Sequence, residues 1–464
     1  MIEKSNSKWI SLATVSILGK PPSAKTCLNA LTAAALALPG VNHKASAGSP
    51  VFTLTPQAGF EFAHYEESGN RMAVDIYHGA LSTTLTDQLE LSATYDFDTY
   101  VGATPAYSLP ESMVDIVSRG GNILARPEAQ AMLKDLINTK GFSSREAVET
   151  TIDAIANKAI PLGERVIELF TPHPREDRNS FNIGASYNFD DVTISLSGGN
   201  SDEPDYVSDF GSVNLSWETN QKLTTFNAGF TYATNIIGST NDQTIEEKKI
   251  DRIFQFGFSQ VLSKNALVQG NLTYTNSSGF QSNVYKMVYV RGETPSDTLR
   301  ETFLLDVYFE NRPKKRHQWA LTGRFLLHFP DLDGSFHSDY RFFTDSWGID
   351  SHTFELAWYQ SLGEGWLITP SVRYYSQSEA DFFAPFFLVS RPHQEYSSDF
   401  RLGAFGSLSG GIQLSKAFFE GKLTLNANFE YSTHQNDLKI SGGADRSYAD
   451  IDFYLVTTGI LLKF

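Results

Sequence analysis

YLVTTGILLKF, residues Tyr454 to Phe464, ends the chain, and its reading decides the fold. Successive side chains of a strand point to opposite faces. Tyr454, Val456, Ile460, Leu462 and Phe464 therefore share one face, with Leu455, Thr457, Gly459, Leu461 and Lys463 on the other. A free chain end tolerates polar residues and frays, yet this one stays apolar to its last residue. Such a strand suits a sheet that closes on its own first strand.

The same period of two recurs upstream. RNSFNIGASYNF (178–189) sets Phe181, Ile183, Ala185, Tyr187 and Phe189 against Ser180, Asn182, Gly184, Ser186 and Asn188. RHQWALTGRFLLHF (316–329) sets Trp319, Leu321, Phe325, Leu327 and Phe329 against Gln318, Thr322, Arg324 and His328. GWLITPSVRYYSQ (365–377) sets Trp366, Ile368, Val372 and Tyr374 against Thr369, Ser371, Arg373 and Gln377. Runs of about ten residues are what a tilted strand needs to cross a bilayer, whereas soluble strands average about five or six.

Sixteen runs of this kind can be counted: 53–64, 71–85, 88–99, 178–189, 191–201, 205–217, 222–235, 248–262, 265–277, 316–329, 335–345, 349–361, 364–377, 399–416, 420–434 and 450–464. The even-numbered gaps are mostly tight and the odd-numbered ones include the long ones, although the gap near 345–350 is short. That alternation suits a barrel with both termini on the periplasmic side. The expected fold is all-β: a transmembrane antiparallel barrel of about 16 strands. FLLDVYFE (303–310) would break the even parity and is read as loop or as an extension above the membrane.

One stretch departs from this pattern, an insert at about 106–172 in the external gap after the third strand. Ala129, Met132, Leu133, Leu136 and Ile137 recur at helical spacing after Pro127. Ser143 and Glu146 form a capping box before Val148, Ile152, Ile155 and Ala159. The expectation is two amphipathic helices that cap or constrict the barrel.

Composition agrees with a barrel: aromatics are 13% of residues, charged residues only 19%, and no stretch reaches about 18 uninterrupted apolar residues. Residues 1–47 read as an export signal, with Lys4, Lys8, Lys20 and Lys25 before the apolar LNALTAAALAL and then the small-residue Ala45-Ser46-Ala47. Residues 48–464 would then form the barrel in the outer membrane of a Gram-negative cell. The single cysteine, Cys27, lies within the signal, so the exported chain has no thiol or disulfide. Losing five Lys and one Glu with that signal moves the formal charge from −16 to −20. This argues against nucleic-acid binding.

Several stretches resemble the bacterial family of domain of unknown function 3570: YEESGNR (65–71), YDFDTYVGATP (95–105), DEPDYVSDFGSVNLSW (202–217), the run from FSQVLSKN to NVYKMV (258–288), ENRPKKRHQWAL (310–321), SDYRFFTDSWGIDSHTFEL (338–356), RYYSQSEADFF (373–383) and SSDFRLGAFGS (397–407). The resemblance covers nearly the whole exported chain and is most specific over Glu310 to Phe383. It implies an outer-membrane barrel and no defined activity.

Candidate function rests on charges at membrane depth. Arg324 and His328, then His337, Asp339 and Arg341, then Glu355, then Arg373 come from four consecutive runs and form a candidate lumenal charge ladder. The plainer alternative is that they pair with one another in a polar interior. Ser351 and His352 are triad residue types, but adjacent residues of a strand face opposite ways and cannot act together. His64, His78, His173, His317, His393 and His434 show no metal-ligand spacing. No catalytic residue, metal or cofactor is assigned. Tyr454, Val456, Ile460, Leu462 and Phe464 resemble the terminal signal by which outer-membrane barrels are recognised for assembly. The expected partners are outer-membrane lipid, the barrel assembly machinery, and a small solute or a periplasmic protein. The expected function is a channel or solute-binding pore. The rival is a non-conducting barrel that displays loops or anchors a complex.

Overall fold

The computed structural model describes residues 56–110, 166–172, 176–240, 242–291, 305–384, 387, 394–440 and 451–464. The export signal with Cys27 and the helices expected at 127–137 and 143–159 lie outside these residues.

The strands are β1 (Gln57–Glu67), β2 (Met72–Thr84), β3 (Leu89–Pro110), β4 (Val166–Pro172), β5 (Glu176–Phe189), β6 (Val192–Glu203), β7 (Tyr206–Thr219), β8 (Thr224–Ile237), β9 (Glu247–Ser263), β10 (Ala266–Gly279), β11 (Met287–Arg291), β12 (Leu305–Phe309), β13 (Lys315–Phe329), β14 (Gly334–Asp345), β15 (Asp350–Gly363), β16 (Trp366–Gln377), β17 (Phe405–Phe418), β18 (Leu423–Gln435) and β19 (Ile451–Lys463). Every neighbouring pair in the wall is antiparallel, and β19 pairs with β1 from Gln57↔Lys463 to Glu67↔Phe453, which closes the sheet. The sheet has 17 strands, but β4 and β5 both pair with β3, one on its far end and one on its near end. They act as a single interrupted stave, so the barrel has sixteen.

Two sequence readings need correction. The insert was expected to begin at about 106, yet 106–110 and 166–172 are strand, and the described residues contain no α-helix, only three-residue 3₁₀ turns. Pro105 and Pro110 suggest the end of a strand, because proline donates no ladder hydrogen bond. The β3–β4 ladder absorbs them with a register shift between Pro105 and Tyr107. The run expected at 399–416 starts as a strand only at Phe405. Phe400, Leu402 and Ala404 alternate like a strand but are buried in a 3₁₀ turn and the two residues after it. The segment read as loop or as an extension, 303–310, holds β12, which among the described residues pairs with β11 in a separate two-stranded sheet and leaves the even count of the wall intact.

The faces are inverted relative to a water-soluble protein. Phe60, Phe181, Trp217, Trp319, Phe354 and Ile460 are exposed on the outside, while Ser195, Ser201, Ser351, Ser409 and Ser432 are buried inside. Pro370 sits on the outer face of β16, where the β15–β16 ladder skips from Ala357↔Ser371 to Gln360↔Ile368. The turns at the end that holds the termini are tight. Several use non-glycine residues of positive φ, such as Asp190 (64°), Asp333 (47°) and Glu364 (48°), which lets the chain reverse in few residues.

Candidate functional site

Alternation fixes which side chains of each strand reach the lumen, and antiparallel register fixes which of them sit side by side. Gln269, Arg324, Asp339, Glu355 and Arg373 occupy one continuous rung across β10 and β13–β16. Four of the seven ladder residues proposed from sequence are thus brought together. Arg324 grips Asp339 with two hydrogen bonds, Nε to Oδ1 at 2.7 Å and Nη2 to Oδ2 at 2.8 Å. The signs run plus, minus, minus, plus, so neighbouring charges compensate one another instead of projecting one field into the lumen.

The other three lie off this rung. Arg341 sits one rung farther along, between Thr322 and Thr353, with its guanidinium 5.5 Å from the Phe343 ring centre. His337 packs its ring 4.0 Å from that of Tyr359, and His328 hydrogen-bonds Ser335 Oγ at 2.9 Å. Ser351 faces inward, whereas His352 faces outward and shares a hydrogen bond with Tyr340 (2.8 Å). The two never meet.

Sequence reading missed a second ionic wall on β1–β3, β5 and β6. Glu61, His78, Asp96, Ser180 and Ser201 share a rung. His78 Nδ1 lies 2.5 Å from Asp96 Oδ1, and both residues are buried. Arg178 pairs with Asp98 one rung away. These charges were hidden because the partners of each contact lie on different strands, and only the register brings them together.

The mouth opposite the termini carries another constellation. Between β10 and β13, and between β16 and β17, the two long loops meet through main-chain hydrogen bonds Asn311 N to Tyr396 O (3.0 Å) and Tyr396 N to Asn311 O (2.8 Å). Beside this bridge, Asp399 accepts from Arg312 Nη2 (2.6 Å) and from Arg401 Nη2 (2.6 Å) and Nε (2.7 Å). Arg312 also pairs with Glu310 at 2.7 Å, and Ser397 Oγ donates to Glu310 Oε2 at 2.5 Å. Asp399 is fully buried and Glu310 nearly so. Burial alone would raise the Asp399 carboxyl, but Arg401 and Arg312 beside it hold it well below the ordinary carboxylate range.

This clasp draws the β16–β17 loop inward. Phe382, Phe383 and Leu402 pack with Trp347 and Ile349, and the Phe400 ring centre lies 5.4 Å from the guanidinium of Arg71, just before β2. From the other loop, Tyr285 donates its hydroxyl to Asp205 in the β6–β7 turn and accepts from Thr240 N (2.9 Å) in the β8–β9 loop. The two loops therefore touch both sides of the rim. Glu310 and Arg312 lie in ENRPKKR, and Asp399 and Arg401 in SSDFRLG, two of the stretches that carry the family resemblance. That was the available signal; pairing two loops so far apart in sequence was beyond it.

At the other end, Tyr454, Val456, Ile460, Leu462 and Phe464 all take the outer face of β19, and Phe464 N donates to Pro56 O at 2.9 Å. Deleting Phe464, or Phe464→Ser, is expected to lower the heat-modifiable barrel in outer-membrane fractions. Normal yield would show that this residue has no part in closure.

A family model described as "Protein of unknown function (DUF3570)" matches residues 28–455. No curated protein matches. Among solved structures, a bacterial polysaccharide outer membrane secretin is 6% identical, with 89% of this chain and 99% of that chain covered and a TM-score of 0.45. The siderophore receptor PirA from Pseudomonas aeruginosa is 9% identical over 88% of this chain and 61% of its own, TM-score 0.39. CdiB from Acinetobacter baumannii is 7% identical over 88% and 60%, TM-score 0.43. At these values the likeness carries no argument about what this chain binds or moves.

Proposed function

The chain belongs to the DUF3570 family, and from that premise we propose that it is an outer-membrane barrel for the passage or binding of a small solute, with a mouth held shut by a clasp between two loops. The apolar outer face suits contact with outer-membrane lipid, and the outward signal on β19 suits recognition by barrel assembly machinery after export. The observation that carries the reading is the clasp. Its ionic contacts join residues of two separate loops across a polar lumen, so undoing a few side-chain contacts would free the entrance while the wall stays intact.

The rival, a non-conducting binding or assembly partner, is favoured by the amount of loop buried in the mouth. A reversible lock separates the two. Asn311 and Tyr396 face each other in an antiparallel bridge, and such pairs have Cα atoms about 4.5–5.5 Å apart, within disulfide range. In planar bilayers, the Asn311→Cys/Tyr396→Cys protein is expected to show openings when reduced and none when oxidised. Silence in both states, with the barrel folded, would overturn the passage reading and leave the rival.

A further inference from the structure

Between the two ionic walls, the inner face of β3 and β5–β10 forms a recess of about 280 Å³, near the lower end of the roughly 300–1,000 Å³ common for small-molecule sites. Asn182, Ser186, Asn214, Asn227, Gln255 and Asn271 supply its polar groups, and none of the described residues that line it is charged or a histidine. In a chain with 53 acidic and 37 basic residues, that is a marked local exclusion of charge.

Register explains how the amides are presented. Asn214 lies opposite Gly229, and Asn271 opposite Gly257. A Cβ at either glycine would come within 2.5 Å of the neighbouring Asn Oδ1. The missing side chains thus let the amide oxygens lie against the wall. Ser186 and Ser195 share a hydrogen bond at 2.8 Å, and Asn182 Oδ1 is covered yet has no hydrogen-bond partner among the described residues.

We propose that this uncharged wall binds a neutral polyhydroxylated solute, a carbohydrate. An ion entering the recess would shed water without meeting an opposite charge, which is costly. Amides and hydroxyls both donate and accept, matching the dual character of sugar hydroxyls. The proposal rests on the reading above that the inner face is the working surface.

The test is calorimetric titration of the purified, heat-modifiable full-length barrel with maltohexaose, pentalysine and pentaglutamate. Saturable binding of maltohexaose alone is expected, weakened at least about tenfold by Asn271→Leu and by Asn214→Leu, partly restored in Asn271→Ser, and unchanged by Lys222→Ala at a turn outside the lumen. If Asn271→Leu fails to fold, Asn214→Leu decides. Tighter binding of either charged peptide, or equal maltohexaose binding by the leucine variants, overturns the proposal. Bilayer current reports on passage separately. Maltohexaose binding without current keeps the carbohydrate wall and removes passage. Current that maltohexaose neither blocks nor accompanies with binding keeps passage and removes the carbohydrate wall.

Discussion

Asp399→Ala is expected to release the mouth loops, at about 3 kcal/mol. Removing one member of a buried ion pair costs about 3–5 kcal/mol, because its partners stay desolvated. The lower end applies here, since Arg312 and Arg401 keep 12% and 15% side-chain exposure while Asp399 has 1%. The loss is local. No wall strand depends on Asp399, whereas both Arg312 and the 3₁₀ turn at Phe400–Leu402 do. Limited proteolysis should therefore become fast within 394–404 while the barrel keeps its heat-modifiable form, and bilayer openings should become frequent. Unchanged proteolysis would show that the apolar packing around Trp347 holds the loop unaided. The same geometry makes the Asp399 contacts indifferent to ordinary pH. A carboxyl lowered in the folded state contributes fully above its unfolded value, near 3.8, and loses that contribution only as pH falls through its still lower folded value. The contribution of Asp399 to the clasp should thus be flat from about pH 5 to 8.

Phe325→Arg is expected to destabilise the barrel by about 2–4 kcal/mol if Phe325 lies near the midplane, the cost of an arginine on the lipid face there. Phe325 points outward on β13, directly before Leu326 and after Arg324, which points inward to Asp339. Arg324→Ala should cost less, about 1.5–3 kcal/mol for lost charge-assisted hydrogen bonds, and most of that should vanish against an Asp339→Ala background. Urea unfolding in lipid vesicles measures all of these. Phe325→Arg costing less than Arg324→Ala would place the membrane on the other face, as a one-residue register slip would do.

The wall was legible because strand alternation is local: the outward Trp319, Leu321 and Phe325 and the inward Thr322 and Arg324 can be read from one run. Its contacts were not. The Arg324–Asp339 pair could be guessed, since β13 and β14 are consecutive and a short turn sets their register. Glu61, His78 and Asp96 lie on three consecutive strands too, but a histidine and two acids at separations of 17 and 18 residues match no motif. The 3₁₀ turn at Phe400–Leu402 was misread because Phe400, Leu402 and Ala404 satisfy strand periodicity while packing into the mouth. Periodicity records which residues avoid water, and here the mouth buries them as a sheet would.

The seam between β1 and β19 has a consequence for the order of assembly. Tyr454 meets Glu66 across a separation of 388 residues, whereas Arg312 and Asp399 are 87 apart. Loop-closure entropy grows only slowly with length, but contacts of high sequence separation are late and slow to form. Hairpins β13 to β16 can therefore assemble, and be stapled into an arc by the clasp, long before the two ends of the chain find each other. Until that last pairing every intermediate presents two unpaired edges, each a template for another chain. A cell that makes this protein has to shelter those edges, and the time they stay open is set by the search of β19 for β1.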